Sequence, residues 1–96
     1  MWYLTDQVSV KDFEAKGYPV VAMDPITFKL MLETFEWESY IRNETAAYLV
    51  SSYLKMEVKP NKKPLPELKE GDMVSIYEFE RVDHDEIAIY CYTVLI

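Results

Sequence analysis

Hydrophobic and polar residues alternate along this chain with two different periods, one typical of strands and one typical of helices. Segments rich in aromatic and β-branched residues predict five strands, at 2–5, 18–23, 34–41, 73–80 and 87–96. Apolar residues at helical spacing predict helices at about 25–33 and 44–55. Between the first two strands, Ser9 is a candidate cap for a short helix or turn. This order predicts an α+β fold, with a mixed sheet of about five strands and two to three helices packed against it.

Capping residues mark the starts of the two longer helices. Asp24 can accept hydrogen bonds from the free amides of the first helix, and Pro25 suits its first turn. Asn43 is predicted to cap the second helix, whose core-facing residues are expected to be Ala46, Ala47, Val50, Tyr53 and Leu54. The last two strands are close enough in sequence to form a hairpin. The final strand is very apolar, so we expect it at the centre of the sheet or at a dimer interface.

Composition limits the classes of protein to which the chain can belong. Hydrophobic residues make up 50% of its 96 residues, which predicts a single folded domain over residues 1–96. No segment approaches the roughly 20 apolar residues of a membrane span, so we expect no membrane partner. Cys91 is the only cysteine and has no partner for an internal disulfide, which favours a reducing compartment such as the cytoplasm.

The net charge of −7 makes the protein acidic. Binding to duplex nucleic acid requires a basic face, so we expect no duplex partner. The acidity keeps the chain in solution, and it is compatible with imitation of nucleic acid or with a small anion held in a local basic pocket.

Residues that carry catalytic or metal chemistry are few. His84 and Cys91 are the only histidine and cysteine, and neither has a second ligand at the spacing of a zinc site. We therefore expect neither a metal nor another cofactor. His84 lies among acidic residues in the connection between the last two strands, where a solvated turn is the ordinary interpretation.

The segment 39–46 combines the end of a strand with the start of a helix. Backbone amides at a helix start can bind phosphate, and Arg42 adjoins them with a guanidinium suited to phosphate oxygens. An anion pocket and an ordinary asparagine cap beside a surface arginine both fit this pattern. Lysines at 59, 62 and 63 can add positive charge if the fold brings them to the same place.

Short motifs along nearly the whole chain occur in the order of a known family. They are Leu4–Ser9 (L-T-D-Q-V-S), Ser39–Glu44 (S-Y-I-R-N-E), Leu68–Asp72 (L-K-E-G-D) and Arg81. This order resembles the small viral ring-nuclease domain, an anti-CRISPR family directed against type III systems, whose members read L-T-N-x-x-S, S-x-I-G-H-E and L-x-x-G-D. Each motif is short, so the resemblance depends on their order.

The resemblance implies a homodimer that binds a cyclic oligoadenylate, such as cyclic tetra-adenylate, or a related small nucleotide. Mapped onto this chain, the ligand-binding residues are Ser9, Ser39, Ile41, Arg42, Asn43, Glu44 and Arg81. In this family a ribose 2′-hydroxyl attacks the neighbouring phosphate without a metal, and a histidine protonates the leaving oxygen as general acid.

This chain departs from the family pattern at the catalytic position. Asn43 replaces the histidine, and an amide cannot supply a proton near neutral pH, which removes a contribution of about 10²–10⁴ in rate. Asp6 replaces the first motif's asparagine and brings a negative charge. The resemblance therefore implies a degenerate metal-independent ring nuclease with weak or absent cleavage. His84 is a candidate replacement acid.

A second class of function fits the composition. The acidic charge and the aromatic residues favour a viral or accessory interaction protein that binds a host protein through an acidic, aromatic surface. If the protein is viral, we expect it in the cytoplasm of the host cell.

Overall fold

The computed structural model describes the whole chain, Met1–Ile96, as one five-stranded sheet with three helices. The strands are β1 (Trp2–Thr5), β2 (Val20–Val21), β3 (Trp37–Tyr40), β4 (Met73–Arg81) and β5 (Ile87–Leu95). The helices are α1 (Val10–Ala15), α2 (Pro25–Thr34) and α3 (Glu44–Leu54). This arrangement confirms the predicted α+β class and its mixed sheet. None of the helices is long and apolar enough to cross a membrane.

The strands lie in the order β2-β5-β4-β1-β3. β1 is parallel to both of its neighbours, β3 and β4. β4 and β5 form the predicted antiparallel hairpin, in an unbroken register from Met73 opposite Leu95 to Arg81 opposite Ile87. On its other side β5 pairs only with the two residues of β2. β5 is therefore the second strand from the β2 edge of the sheet, and most of its residues pair with β4 only.

Helices cover both faces of the sheet. α2 and α3 pack on one face in a core built around Trp2, Phe28, Val50 and Tyr77. On the opposite face the buried residues of α1 meet those of β4 and β5 in a smaller core. Because both faces are covered, the centre of β4 is buried on both sides. Its buried polar side chain, Ser75, accepts a hydrogen bond from Trp2 Nε1 at 2.8 Å.

The three helices begin at the predicted capping residues. The Asp24 carboxylate accepts from the Thr27 amide at 2.9 Å, and Asn43 Oδ1 accepts from the Ala46 amide at the same distance. Ser9 Oγ accepts from the Lys11 amide and caps α1. These local bonds satisfy amides that a helix start leaves without partners, which is why the caps were readable in the sequence.

Three predictions about individual elements are wrong. The third strand was expected over 34–41, but β3 spans only Trp37–Tyr40, because α2 continues to Thr34. The second strand was expected over 18–23, but only Val20–Val21 pairs, because the chain turns away from β5 to begin α2 at Pro25. Tyr53 was expected in the core but is 41% exposed. The buried arc of α3 consists of Ala46, Ala47, Val50 and Leu54. Tyr53 lies at the margin of that arc, towards solvent.

Candidate functional site

An open cleft of about 660 Å³ lies where β1 ends and α3 begins. We call it the polar cleft, because none of its lining residues is hydrophobic. They are Asp6, Gln7, Arg42, Asn43, Glu44, Thr45 and Lys62. Three residues predicted from the sequence, Arg42, Asn43 and Glu44, are thus brought together here.

A second depression of about 560 Å³ continues from the polar cleft. The two share Asp6, Asn43 and Thr45, so they form one continuous surface. Half of the ten residues that line the second depression are hydrophobic, and we call it the apolar shelf. Its remaining residues are Val8, Ser9, Ala46, Leu49, Tyr77, Glu78 and Phe79. The combined surface offers charged and polar groups at one end and hydrophobic side chains at the other.

The carboxylate of Asp6 occupies the amides at the junction between β3 and α3. It accepts a hydrogen bond from the Arg42 amide at 2.7 Å and one from the Asn43 amide at 3.2 Å. These amides belong to the segment whose sequence suggested an anion pocket. These two amides are therefore already bound by an anionic group of the protein itself, the Asp6 carboxylate. The amides of Glu44 and Thr45, in the first turn of α3, have no acceptor within the protein.

Gln7 connects the cleft to the loop at 59–66. Its Nε2 donates to the carbonyl oxygens of Tyr40 and Lys63, both at 2.9 Å, and its Oε1 accepts from the Leu65 amide at 3.0 Å. These bonds fix the loop beside β1 and bring Lys62 into the polar cleft. Lys59 does not converge there, because it lies 3.7 Å from Glu57 in a different part of the surface.

The charges of the polar cleft are balanced, with Arg42 and Lys62 facing Asp6 and Glu44. In a chain with a net charge of −7, a neutral cleft is relatively electropositive. The arrangement can therefore accept a small ligand that has both anionic and hydrogen-bonding groups.

Ser39 and Ile41 lie beside the cleft but do not line it. Ile41 is fully buried in the larger core. Ser39 Oγ donates to the Lys59 carbonyl at 2.6 Å and holds the loop against the edge of β3. Both residues therefore support the walls of the site and present no free side-chain group to it.

Ser9 lines the apolar shelf, where it belongs to a small hydrogen-bonded group. Ser9 Oγ and the Val10 amide each donate to Glu78 Oε1 at 3.2 Å. The carboxylate of Glu78 thus binds the start of α1 from the neighbouring strand.

Arg81 and His84 line neither the polar cleft nor the apolar shelf. Arg81 is the last residue of β4 and is exposed opposite Ile87. His84 lies in the turn that follows, where its amide donates to Asp83 Oδ1 at 2.7 Å. The structure does not bring either residue together with Asn43.

Sequence reasoning missed Gln7, Thr45 and Glu78. Gln7 lies inside the first motif, at one of its variable positions, so no residue preference marked it. Thr45 follows the helix cap and could have been found as a first-turn residue whose amide is free. Glu78 reaches the site through strand pairing, which the sequence does not reveal.

The structure does not arrange Cys91, Tyr77 or any group of metal-ligating side chains for catalysis or metal binding. Burial raises the pKa of the Cys91 thiol to about 12, so it is protonated at neutral pH. Burial is also the main cause that raises the pKa of Tyr77, and the neighbouring Cys91 raises it further. No group of three or more histidine, cysteine, aspartate or glutamate side chains is placed to hold a metal ion.

The fold and the cleft define an α+β protein with a ligand-sized surface at the carboxyl ends of parallel strands. The chain matches no protein-family model and no curated protein. Its fold is similar to that of B116 of Sulfolobus turreted icosahedral virus, with a TM-score of 0.69. The similarity covers 99% of this chain and 98% of B116 at 17% sequence identity. At that identity the comparison establishes a shared fold.

Proposed function

We propose that this chain is a viral protein, related to the ring-nuclease anti-CRISPR domain, that binds a small anionic nucleotide as a homodimer. Cyclic tetra-adenylate is the first candidate ligand, with weak or absent cleavage. The observation that carries the proposal is the continuity of the polar cleft with the apolar shelf. A nucleotide has the same division between charged phosphate and flat, weakly polar base.

The phosphate is assigned to the polar cleft. Arg42 and Lys62 are the cationic side chains there, and the amides of Glu44 and Thr45 are free donors at the positive end of the α3 dipole. The base is assigned to the apolar shelf, where Phe79 and Leu49 offer hydrophobic contact. Asp6 opposes the phosphate, because its carboxylate already occupies the neighbouring amides.

Cleavage of the bound nucleotide lacks a general acid. Attack of a 2′-hydroxyl on the adjacent phosphorus forms a 2′,3′-cyclic phosphate and releases the 5′-oxygen, which must take up a proton. Asn43 lines the cleft, but its Oδ1 is engaged as an acceptor by the Ala46 amide, and its NH₂ group is not acidic. The protein is therefore proposed to bind and sequester its ligand.

The viral origin is supported by two independent features. One is the likeness of the fold to B116, a virus protein, over nearly the full length of both chains. The other is the order of motifs along the sequence. We accordingly propose the cytoplasm of the infected host cell as its location.

The test is a thermal-shift titration with cyclic tetra-adenylate, followed by analysis of products. We expect stabilisation of the wild-type chain without new products. Arg42→Ala is expected to weaken binding roughly tenfold or more, because a hydrogen bond to a charged group contributes about 1.5–3 kcal/mol. Lys29→Ala, which also removes one positive charge but lies on α2, is the matched control and should bind like wild type.

Each outcome decides between mechanisms. Stabilisation with linear products would show that another residue supplies the proton, and His84→Ala would then test the turn histidine. The absence of a shift with cyclic tetra-adenylate, other cyclic oligoadenylates and their linear forms would overturn nucleotide binding.

A second candidate function, binding of a host protein, is favoured by exposed hydrophobic side chains. Ile26 is 75% exposed and Leu30 is 59% exposed on α2, and Tyr48 is 70% exposed on α3. Such residues are effective contact anchors when a partner covers them. Binding to a host protein that is lost with Tyr48→Ala and retained with Arg42→Ala would favour this function over nucleotide binding.

A further inference from the structure

β4 continues past the end of β1, and this difference in length places Glu78 beside the candidate site. The register of the two parallel strands ends with Thr5 opposite Ile76, whereas β4 continues to Arg81. Glu78 and its neighbour Phe79 are half-buried in this extension, and both line the apolar shelf. A carboxylate therefore lies among the hydrophobic side chains to which the proposed function assigns a base.

The Glu78 carboxylate is held through one of its two oxygens. Ser9 Oγ and the Val10 amide both donate to Oε1 at 3.2 Å, so the start of α1 fixes the orientation of the group. Oε2 accepts no hydrogen bond and joins no ion pair within the protein. A half-buried carboxylate oxygen without a donor favours a ligand that supplies one, because partial burial removes water from it.

Oε2 of Glu78 is the free carboxylate acceptor of the shelf. The other carboxylate there, Asp6, has both oxygens engaged by the amides of Arg42 and Asn43. The side-chain oxygen of Asn43 is likewise engaged, by the Ala46 amide. Hydrophobic contact and stacking are similar for every base, so a choice between bases depends on a polar group such as Oε2.

We propose that Glu78 is a specificity-determining residue, whose free Oε2 accepts a hydrogen bond from the exocyclic amino group of a bound base. The class of ligand that it selects is a nucleotide of adenine or cytosine. Hypoxanthine and uracil carry a carbonyl oxygen at the corresponding position, which a carboxylate oxygen repels because neither group can donate. This role of Glu78 rests on the proposed nucleotide binding and adds to it the group of the base that is recognised.

The negative charge of Glu78 also opposes an anionic ligand, and this effect is separable from recognition of a base. A charge that only repels phosphate weakens the binding of all nucleotides equally. A group that accepts a hydrogen bond from the base changes the order of affinity among bases. The order of affinity is therefore the quantity to measure.

The test compares cyclic tetra-adenylate with cyclic tetra-inosinate by isothermal titration calorimetry on the full chain. The two ligands differ in the group at position 6 of each base, where a carbonyl oxygen replaces the amino group. We expect the wild type to bind the adenine form about tenfold more tightly or better, because repulsion replaces a hydrogen bond to a charged group. The purine-riboside form, which has neither group, should have an intermediate affinity.

Glu78→Gln should reverse this preference. The Val10 amide is a donor, so the glutamine carbonyl oxygen takes the place of Oε1 and its NH₂ group takes the place of Oε2. The site then donates where it accepted, and cyclic tetra-inosinate should bind more tightly than cyclic tetra-adenylate. Glu80→Gln removes the same charge from an exposed position on the same strand, outside the shelf, and should keep the wild-type preference.

Circular dichroism and a cooperative unfolding transition establish that both variants are folded. Equal affinity of the wild type for the adenine, purine and hypoxanthine forms would overturn the role of Glu78 without any variant. Tighter binding of all three forms by Glu78→Gln, in an unchanged order, would also overturn it and would leave only electrostatic repulsion. Absence of binding by the wild type to every form would overturn the proposed function and this role with it, so the two failures are distinguishable.

Discussion

At the scale of single residues, Asp6 has the greatest effect on what the polar cleft can bind. Its carboxylate satisfies the Arg42 and Asn43 amides and leaves a negative charge in the cleft. In the proposed binding mode an incoming phosphate meets this charge at short range. The same residue is therefore expected to stabilise the start of α3 and to weaken the affinity for anions.

Asp6→Asn is expected to bind cyclic tetra-adenylate more tightly and to unfold at a lower temperature. A like charge about 4 Å from a bound phosphate costs roughly 1 kcal/mol in water and roughly 4 kcal/mol near a protein surface. Removal of the Asp6 charge is therefore expected to raise the affinity about tenfold. The lower melting temperature follows from the loss of charge-assisted bonds to two amides. Asp12→Asn on α1 is the charge-matched control, measured by the same thermal-shift titration. Unchanged or weaker affinity in Asp6→Asn would contradict the assignment of phosphate to this cleft.

The residues of the cleft were predictable only where they are neighbours in sequence. Arg42, Asn43 and Glu44 lie at a strand–helix junction that the local pattern identified, and all three line the cleft. Lys62 reaches it through the bonds that Gln7 makes to the following loop, a contact across more than fifty residues. Such convergence depends on sheet order, which the hydrophobic pattern does not encode.

At the scale of elements, the start of α3 joins the stability of the fold to the geometry of the site. Asn43 caps the helix through the Ala46 amide, and its own amide is held by Asp6. Asn43→Ala is expected to lower the free energy of unfolding by about 0.5–2 kcal/mol, as for other capping residues. Chemical denaturation of the wild type and the variant measures this difference.

Asn43→Asp is the matched variant, because a carboxylate can also accept the hydrogen bond from Ala46 and favours a helix start. It should retain most of the stability that Asn43→Ala loses. Equal losses in both variants would mean that the cap contributes little and that the side chain of Asn43 is important for another reason.

The contrast between α3 and β2 explains which elements the sequence reveals. Helix caps act over three or four residues, so Asp24 and Asn43 were identified and their helices confirmed. The length of β2 depends on how far the chain runs beside β5 before α2 begins, which is a contact between distant segments. The exposure of Tyr53 likewise depends on how α2 packs against α3. The helical period alone does not determine whether a residue at the edge of the apolar face is buried.

At the scale of the whole molecule, Asp72 joins the two ends of the chain to the turn before β4. Its carboxylate accepts from the Lys69 amide at 2.8 Å and from the Met1 ammonium group at 3.1 Å. Its carbonyl accepts from the Ile96 amide at 2.9 Å. The Gly-Asp pair of the third motif therefore has a structural role, and the turn is made at Gly71, whose φ of +94° favours glycine.

The hydrogen bond from the Lys69 amide, followed by the Met1 ammonium group, lowers the pKa of Asp72 below its ordinary value of 3.8. The folded state therefore binds fewer protons at this group than the unfolded chain does. The stabilisation of the folded state by the ionised Asp72 carboxylate is fully present above pH 3.8. It is lost as the pH falls through the pKa of Asp72 in the folded state, which is lower than 3.8. Asp72→Asn should thus be less stable than wild type near pH 7, and the two should converge in acid. Urea unfolding across this range measures the convergence.

Glu67→Gln is the control for this experiment, because the Glu67 side chain makes no hydrogen bond or ion pair within the protein. It should be as stable as the wild type near pH 7, because the substitution removes no contact within the protein. If the difference between wild type and Asp72→Asn stayed constant from neutral pH into acid, the charge of Asp72 would not be the source of its stabilisation. The junction of the two chain ends would then depend on the backbone bonds of Gly71 and Ile96, which do not titrate.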